Sequence, residues 1–322
     1  MSSYHIIWHP AKKFQNDIES HGRSVYDLLA SKGAKLCSNA KEALENGKCD
    51  GCAGLKAMPG VGAEKICPLG FWCMRMVIER HAVRGEHNGK LRGAPHALRA
   101  APESGRDEVQ VLRGALLAAS KKVDEVQTGT IGRVLDKLKE ATAQHAVQVE
   151  TWKDWLDAIG KDPPPSLLVL LPHTSEVRMA RKKRPQLEIG QSQVLQGSYL
   201  TSEFLSPSST SATKPVVFLL GCSTEDPKLG VANLTVEFQD LGAAIVLSTL
   251  TPVLGHQVGP VTEALVEHLK ETVEKKTAAK VTTFGYAMRA LSYKELAQGN
   301  VMVLCLVSHG DAQWRLAPAD RR

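Results

Sequence analysis

The chain of 322 residues lacks the features that mark membrane-spanning and secreted proteins. It has no run of the ~18 consecutive apolar residues that a membrane helix needs. Its beginning, Met1 to Trp8, lacks the charged and then apolar layout of a secretory signal, and no internal repeat is visible. We therefore expect a cytoplasmic protein with no membrane partner. In that compartment thiols stay reduced, and clustered cysteines hold a metal more often than they form disulfides.

The composition also excludes wholesale disorder, because 43% of the residues are hydrophobic and 23% are charged. The length exceeds what one core usually organises, which favours two domains. From Gly85 to Glu108 glycine and proline are frequent and periodicity is weak, which predicts a linker, and Cys73 to Ala82 before it has a helical pattern. We predict a cysteine-rich module over residues 1–95 and a second domain over residues 105–322.

After the linker, short apolar runs alternate with patterns typical of amphipathic helices. Strands are predicted at Val111 to Ala119, His145 to Glu150, Ser166 to Leu171, Val216 to Leu220, Ala243 to Leu247 and Val301 to Val307. Helices are predicted at Thr130 to Glu140, Trp152 to Ile159, Val258 to Val273 and Phe284 to Gln298. Near-continuous apolar strands separated by such helices indicate an α/β fold with a mostly parallel sheet covered on both faces.

Candidate catalytic side chains follow three of these strands. His173 comes after the strand that ends at Leu171, Cys222 after the strand that ends at Leu220, and His309 after the last strand. Ligands and chemistry gather at the carboxyl ends of the strands in such sheets, so we expect one Cys and two His at one edge. A thiolate is a nucleophile, and an imidazole in reach can deprotonate the thiol and later protonate a leaving amine.

His173 precedes Cys222 by 49 residues, close to the spacing of about 50 in caspases. The run from Pro215 to Leu269 also resembles the centre of a CHAT domain, from the clan of cysteine peptidases that includes caspases and separase. The matching features are the strand that ends at the Cys, the F-x-x-x-G-A joint from Phe238 to Ala243, and the strand that ends in a Pro-Val turn. The resemblance covers roughly residues 105–322 and implies a caspase-like fold.

By this resemblance Cys222 is the nucleophile and His173 the general base. Backbone N–H groups of Cys222 and of a residue just after His173 would stabilise the oxyanion. Two positions depart from the pattern: Thr174 stands where relatives commonly have glycine, and Gly221 where many have alanine. His309 remains a rival base, Cys222 as a buried core thiol remains an alternative, and Cys305 within an apolar run is interpreted as core.

Substrate preference has two candidate determinants near the dyad. Glu225 and Asp226 follow the nucleophile and could select a basic residue before the cut, although Asp226 before a proline also suits a plain turn. The basic segment from Arg178 to Arg184 is interpreted as a solvated loop. A docking surface for an acidic partner and a site of self-cleavage are its alternatives.

The front of the chain has a cysteine spacing typical of a structural zinc site. Five of the seven cysteines lie in the first quarter, around a C-x2-C pair whose two thiolates can reach one tetrahedral ion. Cys73 is a fifth candidate, and an iron–sulfur cluster or unbound thiols remain alternatives. The ligands that we predict for Zn2+ are Cys37, Cys49, Cys52 and Cys67.

Three functions are therefore compatible with the sequence. The first is a cysteine endopeptidase with a His-Cys dyad that cleaves protein substrates; the resemblance further implies a bacterial defence effector held inactive until a regulatory or sensor protein arrives. The second is a catalytically inactive, caspase-like, zinc-containing adaptor. The third is a zinc-knuckle nucleic-acid binder, since residues 1–104 carry 15 basic and 10 acidic side chains, although zinc-bound thiolates would offset this charge.

Overall fold

A computed structural model describes most of the chain from residue 108 onward. The described residues are 108–179, 182–196, 199–206, 214–221, 234–249, 255–274, 282–297, 300–310 and 312–317. In the front of the chain the description is confined to six strands.

The described part contains both strands and helices in alternation. The strands are β1 Tyr4–Ile7, β2 Lys35–Leu36, β3 Lys65–Ile66, β4 Ile78–His81, β5 Arg84–His87, β6 Lys90–Arg92, β7 Glu108–Gln110, β8 Ala115–Ala119, β9 Ala146–Val149, β10 Leu167–Leu171, β11 His173–Met179, β12 Lys182–Ile189, β13 Gln193–Gln196, β14 Val216–Leu219, β15 Ile245–Thr249, β16 Leu306–Gly310 and β17 Arg315–Ala317. The helices are α1 Lys122–Val126, α2 Thr130–Ala141, α3 Trp152–Ile159, α4 Leu234–Asp240, α5 Gly255–Glu274 and α6 Phe284–Ala297.

Eight of the described strands form one sheet, in the order β1-β4-β16-β15-β14-β10-β8-β9. The pairs from β9 to β15 are all parallel, and so is the pair of β1 with β4. Only β16 runs against its neighbours among these eight strands, antiparallel to both β15 and β4. The α/β fold with a mostly parallel sheet is therefore confirmed.

Helices cover the sheet on both faces, which is why its central strands are apolar throughout. In β10, Leu167, Val169 and Leu171 pack on one face with residues of α2, α5 and α6. Leu168 and Leu170 pack on the other face with residues of α3 and α4. Every residue of β10 is completely buried.

Local sequence signals explain where two of the helices lie. In α2 the predicted stripe of Ile131, Val134 and Leu138 is buried, as a core-facing helix requires. Helix α3 begins after Thr151, whose hydroxyl oxygen accepts a hydrogen bond of 3.0 Å from the N–H of Asp154. None of the described helices is long and apolar enough to cross a membrane.

Three local predictions are wrong. Residues Val301–Cys305 form a 3-10 helix and the strand begins only at Leu306, because an apolar run alone cannot distinguish a strand from a buried helical turn. The helix predicted from Cys73 to Ala82 contains β4, whose Ile78–His81 pair with β1. The predicted linker contains β6 and most of β5, which pair as an antiparallel hairpin.

The division into two domains at residues 95–105 stays a prediction, although β1 and β4 of the front segment extend the central sheet.

Candidate active site

The strands that precede His173 and Cys222 are neighbours that end side by side. Strands β10 and β14 are parallel, with Leu170 opposite Leu219. The ladder continues beyond β14, since the N–H of Leu220 donates to the carbonyl of Leu170 at 2.9 Å. Residues 172 and 221 lie two positions further along this register than Leu170 and Leu219. We call the ends of β8, β10, β14 and β15 the carboxyl edge.

At this edge the backbones of Pro172 and Gly221 are in close contact. A Cβ atom placed on Gly221 would lie 2.6 Å from the carbonyl oxygen of Pro172 and 3.2 Å from two atoms of its ring. No side chain at residue 221 can be accommodated without movement, so the glycine permits the approach. The close contact therefore joins the two residues that immediately precede His173 and Cys222.

A buried hydroxyl fixes the backbone of Gly221 from the other side. Thr249, the last residue of β15, donates a hydrogen bond of 3.3 Å to the carbonyl oxygen of Gly221. Thr249 is 2% exposed, so water does not compete for this bond. The end of β14 is thereby held between β10 and β15.

His173 is the first residue of a hairpin that leaves the carboxyl edge. Strand β11 pairs with β12, and β12 pairs with β13, all antiparallel. His173 is half-buried and lies opposite Glu188 in this register. Thr174 follows opposite Leu187, and its Oγ1 is buried without a hydrogen-bond partner in the described part of the chain. The position of His173 is therefore set by a β-ladder and not by an irregular loop.

The base of this hairpin is attached to the end of β8. The N–H of Gly190 donates to the carbonyl of Ala119 at 2.8 Å, and the N–H of Lys121 donates to the carbonyl of Gly190 at 3.0 Å. Gly190 has φ +53, and a Cβ atom there would clash with the carbonyl of Glu150. Glycine is required at this position for both reasons.

The polar groups around Glu188 complete the same region. Glu188 is 9% exposed, its Oε2 lies 3.0 Å from Nζ of Lys122, and its Oε1 accepts from the hydroxyl of Ser120 at 3.5 Å. A carboxylate this far from solvent requires such partners. Ser120 and Lys122 directly follow β8, so this cluster lies at the carboxyl edge beside His173.

His309 does not lie at the carboxyl edge, which corrects the expectation that both histidines would. Strand β16 is antiparallel to β15, and His309 lies opposite Val246. Val246 precedes Thr249 by three residues, which is about 10 Å along a strand. The apolar run predicts a strand that begins five residues too early, and the direction of the strand cannot be derived from that run. His309 is therefore excluded as the partner of a thiol that follows Gly221.

Cys305 is a core residue, as predicted. It is partly buried against the core that faces α2, α5 and α6, and burial raises its pKa to about 11. A thiol with such a high pKa is almost entirely protonated at neutral pH and is a poor nucleophile. Its surroundings are those of packing, although it lies in a 3-10 helix and not in the predicted strand.

Several predicted site residues lie outside the described part of the chain. These are Cys222, Glu225 and Asp226, together with Cys37, Cys49, Cys52, Cys67 and Cys73. Among the described residues, no group of three or more His, Cys, Asp and Glu side chains could hold a metal ion. The described residues of the basic segment, 178–179 and 182–184, lie in β11 and β12 and not in the predicted loop, with Arg178 opposite Lys183.

Comparison with known proteins adds two structures at low identity. No protein-family model matches the sequence, and no curated protein matches it. The crystal structure of the Arg-specific cysteine proteinase gingipain R is 16% identical, with 66% of this chain and 50% of that chain covered at a TM-score of 0.41. A complex of the Porphyromonas gingivalis RgpB pro- and mature domains is 15% identical, with coverage of 66% and 51% and a TM-score of 0.42. The chain thus spans about half the length of these structures.

Four residues of this region do not follow from the sequence patterns, namely Ser120, Glu188, Gly190 and Thr249. Glu188 lies between Leu187 and Ile189, an alternation that usually places the charged residue in solvent. The signal that could have found it is the glycine that follows at position 190, because a glycine after a strand often marks a close backbone approach. Thr249 gives no such signal, since threonine is common in strands.

Proposed function

We propose that the chain is a cysteine peptidase in which His173 and Cys222 form the catalytic dyad. The observation that carries the proposal is the backbone contact of Pro172 with Gly221 at the carboxyl edge. His173 and Cys222 each follow one of these residues, and consecutive Cα atoms are ~3.8 Å apart. The contact therefore bounds the separation between the imidazole and the thiol.

In the proposed reaction the imidazole of His173 takes the proton of the Cys222 thiol. The thiolate attacks the carbonyl carbon of the scissile peptide bond, and the negative charge that develops on the oxygen is stabilised by backbone N–H groups. His173 then donates its proton to the leaving amine, which leaves an acyl-enzyme. Water activated by the same imidazole hydrolyses the thioester and restores the thiol.

The proposal is tested with a peptide-library cleavage assay on the full chain and on Cys222→Ala, His173→Ala and Cys305→Ala. We expect wild type and Cys305→Ala to cleave, and the first two variants to lose cleavage, with a loss of about 10²- to 10⁴-fold for removal of the base. Cleavage that survives in both dyad variants would show that the assignment is wrong. A wild type that cleaves nothing and has an unreactive Cys222 would favour the inactive adaptor.

The substrate preference is part of the same proposal. Glu225 and Asp226 follow Cys222 closely enough in the chain to reach the residue before the cut, where a carboxylate selects Arg or Lys. The same library is expected to show a preference for a basic residue there, and the preference is expected to weaken in Glu225→Gln with Asp226→Asn. An unchanged profile would remove these two carboxylates from the pocket.

We further propose that Cys37, Cys49, Cys52 and Cys67 hold a structural Zn2+. Four thiolates suit tetrahedral zinc, and the ion would supply folding free energy to the front segment and no chemistry to the peptidase site. Metal analysis of the purified chain is expected to give one zinc per chain. The zinc content is expected to fall in Cys49→Ser and to stay unchanged in Cys73→Ser. Retention of zinc in Cys49→Ser would contradict the ligand set.

A further inference from the structure

Glu188 and His173 form a cross-strand pair at the carboxyl edge of the sheet. They lie directly opposite each other in the antiparallel ladder of β11 with β12. Residues that oppose each other in this way share one face of the sheet, with Cβ atoms ~4.5–5.5 Å apart. A glutamate carboxylate and an imidazole at that separation can meet through a hydrogen bond or through one water molecule.

The carboxylate of Glu188 is held by two side chains that follow β8. Nζ of Lys122 lies 3.0 Å from Oε2, and the Ser120 hydroxyl lies 3.5 Å from Oε1. The flanking residues Leu187 and Ile189 are fully buried in the core on the opposite face of the strand. Glu188 thus has little freedom to turn towards solvent.

The order of strands places His173 between this carboxylate and Gly221. Strand β10 lies between β8 and β14 in the sheet. Glu188 is held by Ser120 and Lys122, which follow β8, while His173 follows β10 and Gly221 follows β14. An acid, an imidazole and the residue before a thiol are therefore arranged in that sequence along the carboxyl edge.

We propose that Glu188 is the positioning residue for His173. Its carboxylate orients the imidazole through one ring nitrogen of His173, by a hydrogen bond or through one water molecule, which leaves the other nitrogen to take the thiol proton. It stays ionised throughout, and the proton moves only between sulfur and imidazole. This inference rests on the proposed peptidase function.

The test is the pH dependence of kcat/KM in Glu188→Gln and Lys122→Gln. In Glu188→Gln we expect kcat to fall about 10- to 100-fold, as loss of a histidine-orienting partner does in metal sites. KM is expected to stay near the wild-type value. Loss of the negative charge disfavours the imidazolium, so the acidic limb of the profile is expected to move to lower pH. Lys122→Gln removes the positive charge that pairs with Glu188. The acidic limb of the Lys122→Gln profile is therefore expected to move to higher pH.

Two control variants distinguish a positioning role of Glu188 from a purely structural role. Glu150→Gln neutralises an exposed glutamate that pairs with Lys121 at 3.6 Å, and it is expected to leave the profile unchanged. Glu188→Asp keeps the charge and is expected to recover part of the kcat that Glu188→Gln loses. If Glu188→Gln does not fold, Lys122→Gln carries the test, since the Lys122 side chain is 44% exposed and its loss is tolerable.

The outcomes distinguish failure of the role proposed for Glu188 from failure of the proposed peptidase function. A wild type without Cys222-dependent cleavage would overturn the peptidase proposal itself. An active wild type whose acidic limb stays in place in both Glu188→Gln and Lys122→Gln would overturn the role of Glu188 alone, even if kcat fell. Opposite shifts of the limb in the two variants would support it.

Discussion

Gly221 lies so close to Pro172 that a Cβ atom on residue 221 would be 2.6 Å from the Pro172 carbonyl oxygen. This contact holds together the residues that precede His173 and Cys222, which are 49 positions apart in the chain. It also makes the glycine itself testable, because alanine at position 221 would require a wider separation of the two strands.

Gly221→Ala is expected to push the end of β14 away from Pro172. The cost in the free energy of unfolding is about 1–3 kcal/mol, as for overpacking in a filled core. Cleavage is expected to fall as well, since the move separates the dyad. Gly132→Ala is the matched control: no atom lies within 4 Å of its Cβ position in α2, so alanine there is expected to stabilise by about 0.5–1 kcal/mol. Chemical denaturation measures both, and equal effects would contradict the close contact.

Thr249→Val is expected to lower the free energy of unfolding by about 1–3 kcal/mol, because the buried carbonyl of Gly221 loses a donor. Thr262→Val is the control. Thr262 is also completely buried, but its hydroxyl donates at 2.7 Å to the carbonyl of Val258 in the preceding turn of α5, which a helical N–H can also reach. A larger loss for Thr262→Val than for Thr249→Val would refute this role of Thr249.

Gly190→Ala tests how the hairpin that begins with His173 is attached to the sheet. The substitution places a Cβ atom against the Glu150 carbonyl and adds the backbone strain of φ +53, which costs about 1–2 kcal/mol by itself. Gly129→Ala has a similar φ of +78 with room around its Cβ, so it carries the strain alone. We expect Gly190→Ala to be the more destabilising of the two and to lose cleavage, while Gly129→Ala retains cleavage.

His268 makes stability depend on pH through the contact of α5 with α6. Its Nε2 lies 2.9 Å from the carbonyl oxygen of Ala287, and its Nδ1 is buried without a hydrogen-bond partner. Burial, with a smaller effect of Lys294, lowers the pKa of His268 from its ordinary value of 6.5. The unfolded chain therefore binds this proton more readily than the folded chain, and stability falls as pH drops below about 6.5.

The measurement is the difference in the free energy of unfolding between pH 7 and pH 5. It is expected to be smaller in His268→Gln than in wild type. The same pH difference in wild type and His268→Gln would contradict the assignment of this titration to His268.

The sequence predicts the parts of this fold that depend on a repeated local pattern. The apolar run through β10 and the stripe of Ile131, Val134 and Leu138 correspond to an observed strand and an observed helix. Strand direction is different, because it depends on the path of the chain between strands. That is why His309 was expected beside Cys222 and lies near the opposite end of β15.

The candidate active site also contains one residue that a local pattern predicts and one that it does not. His173 is identifiable from the strand before it, since a polar residue after a buried strand of a parallel sheet is a candidate by position alone. Glu188 is not, because its burial depends on Ser120 and Lys122, which lie 68 and 66 residues away in the chain. Such long-range contacts have no periodicity that could reveal them.

The most direct measurement of the central claim is the rate at which iodoacetamide alkylates Cys222 at neutral pH, resolved from the other thiols by mass spectrometry. We predict that Cys222 reacts much faster than Cys305, whose pKa burial raises to about 11. We also predict that His173→Ala slows the reaction of Cys222 and leaves that of Cys305 unchanged. A Cys222 that reacts as slowly as Cys305, or equally fast with and without His173, would contradict the dyad.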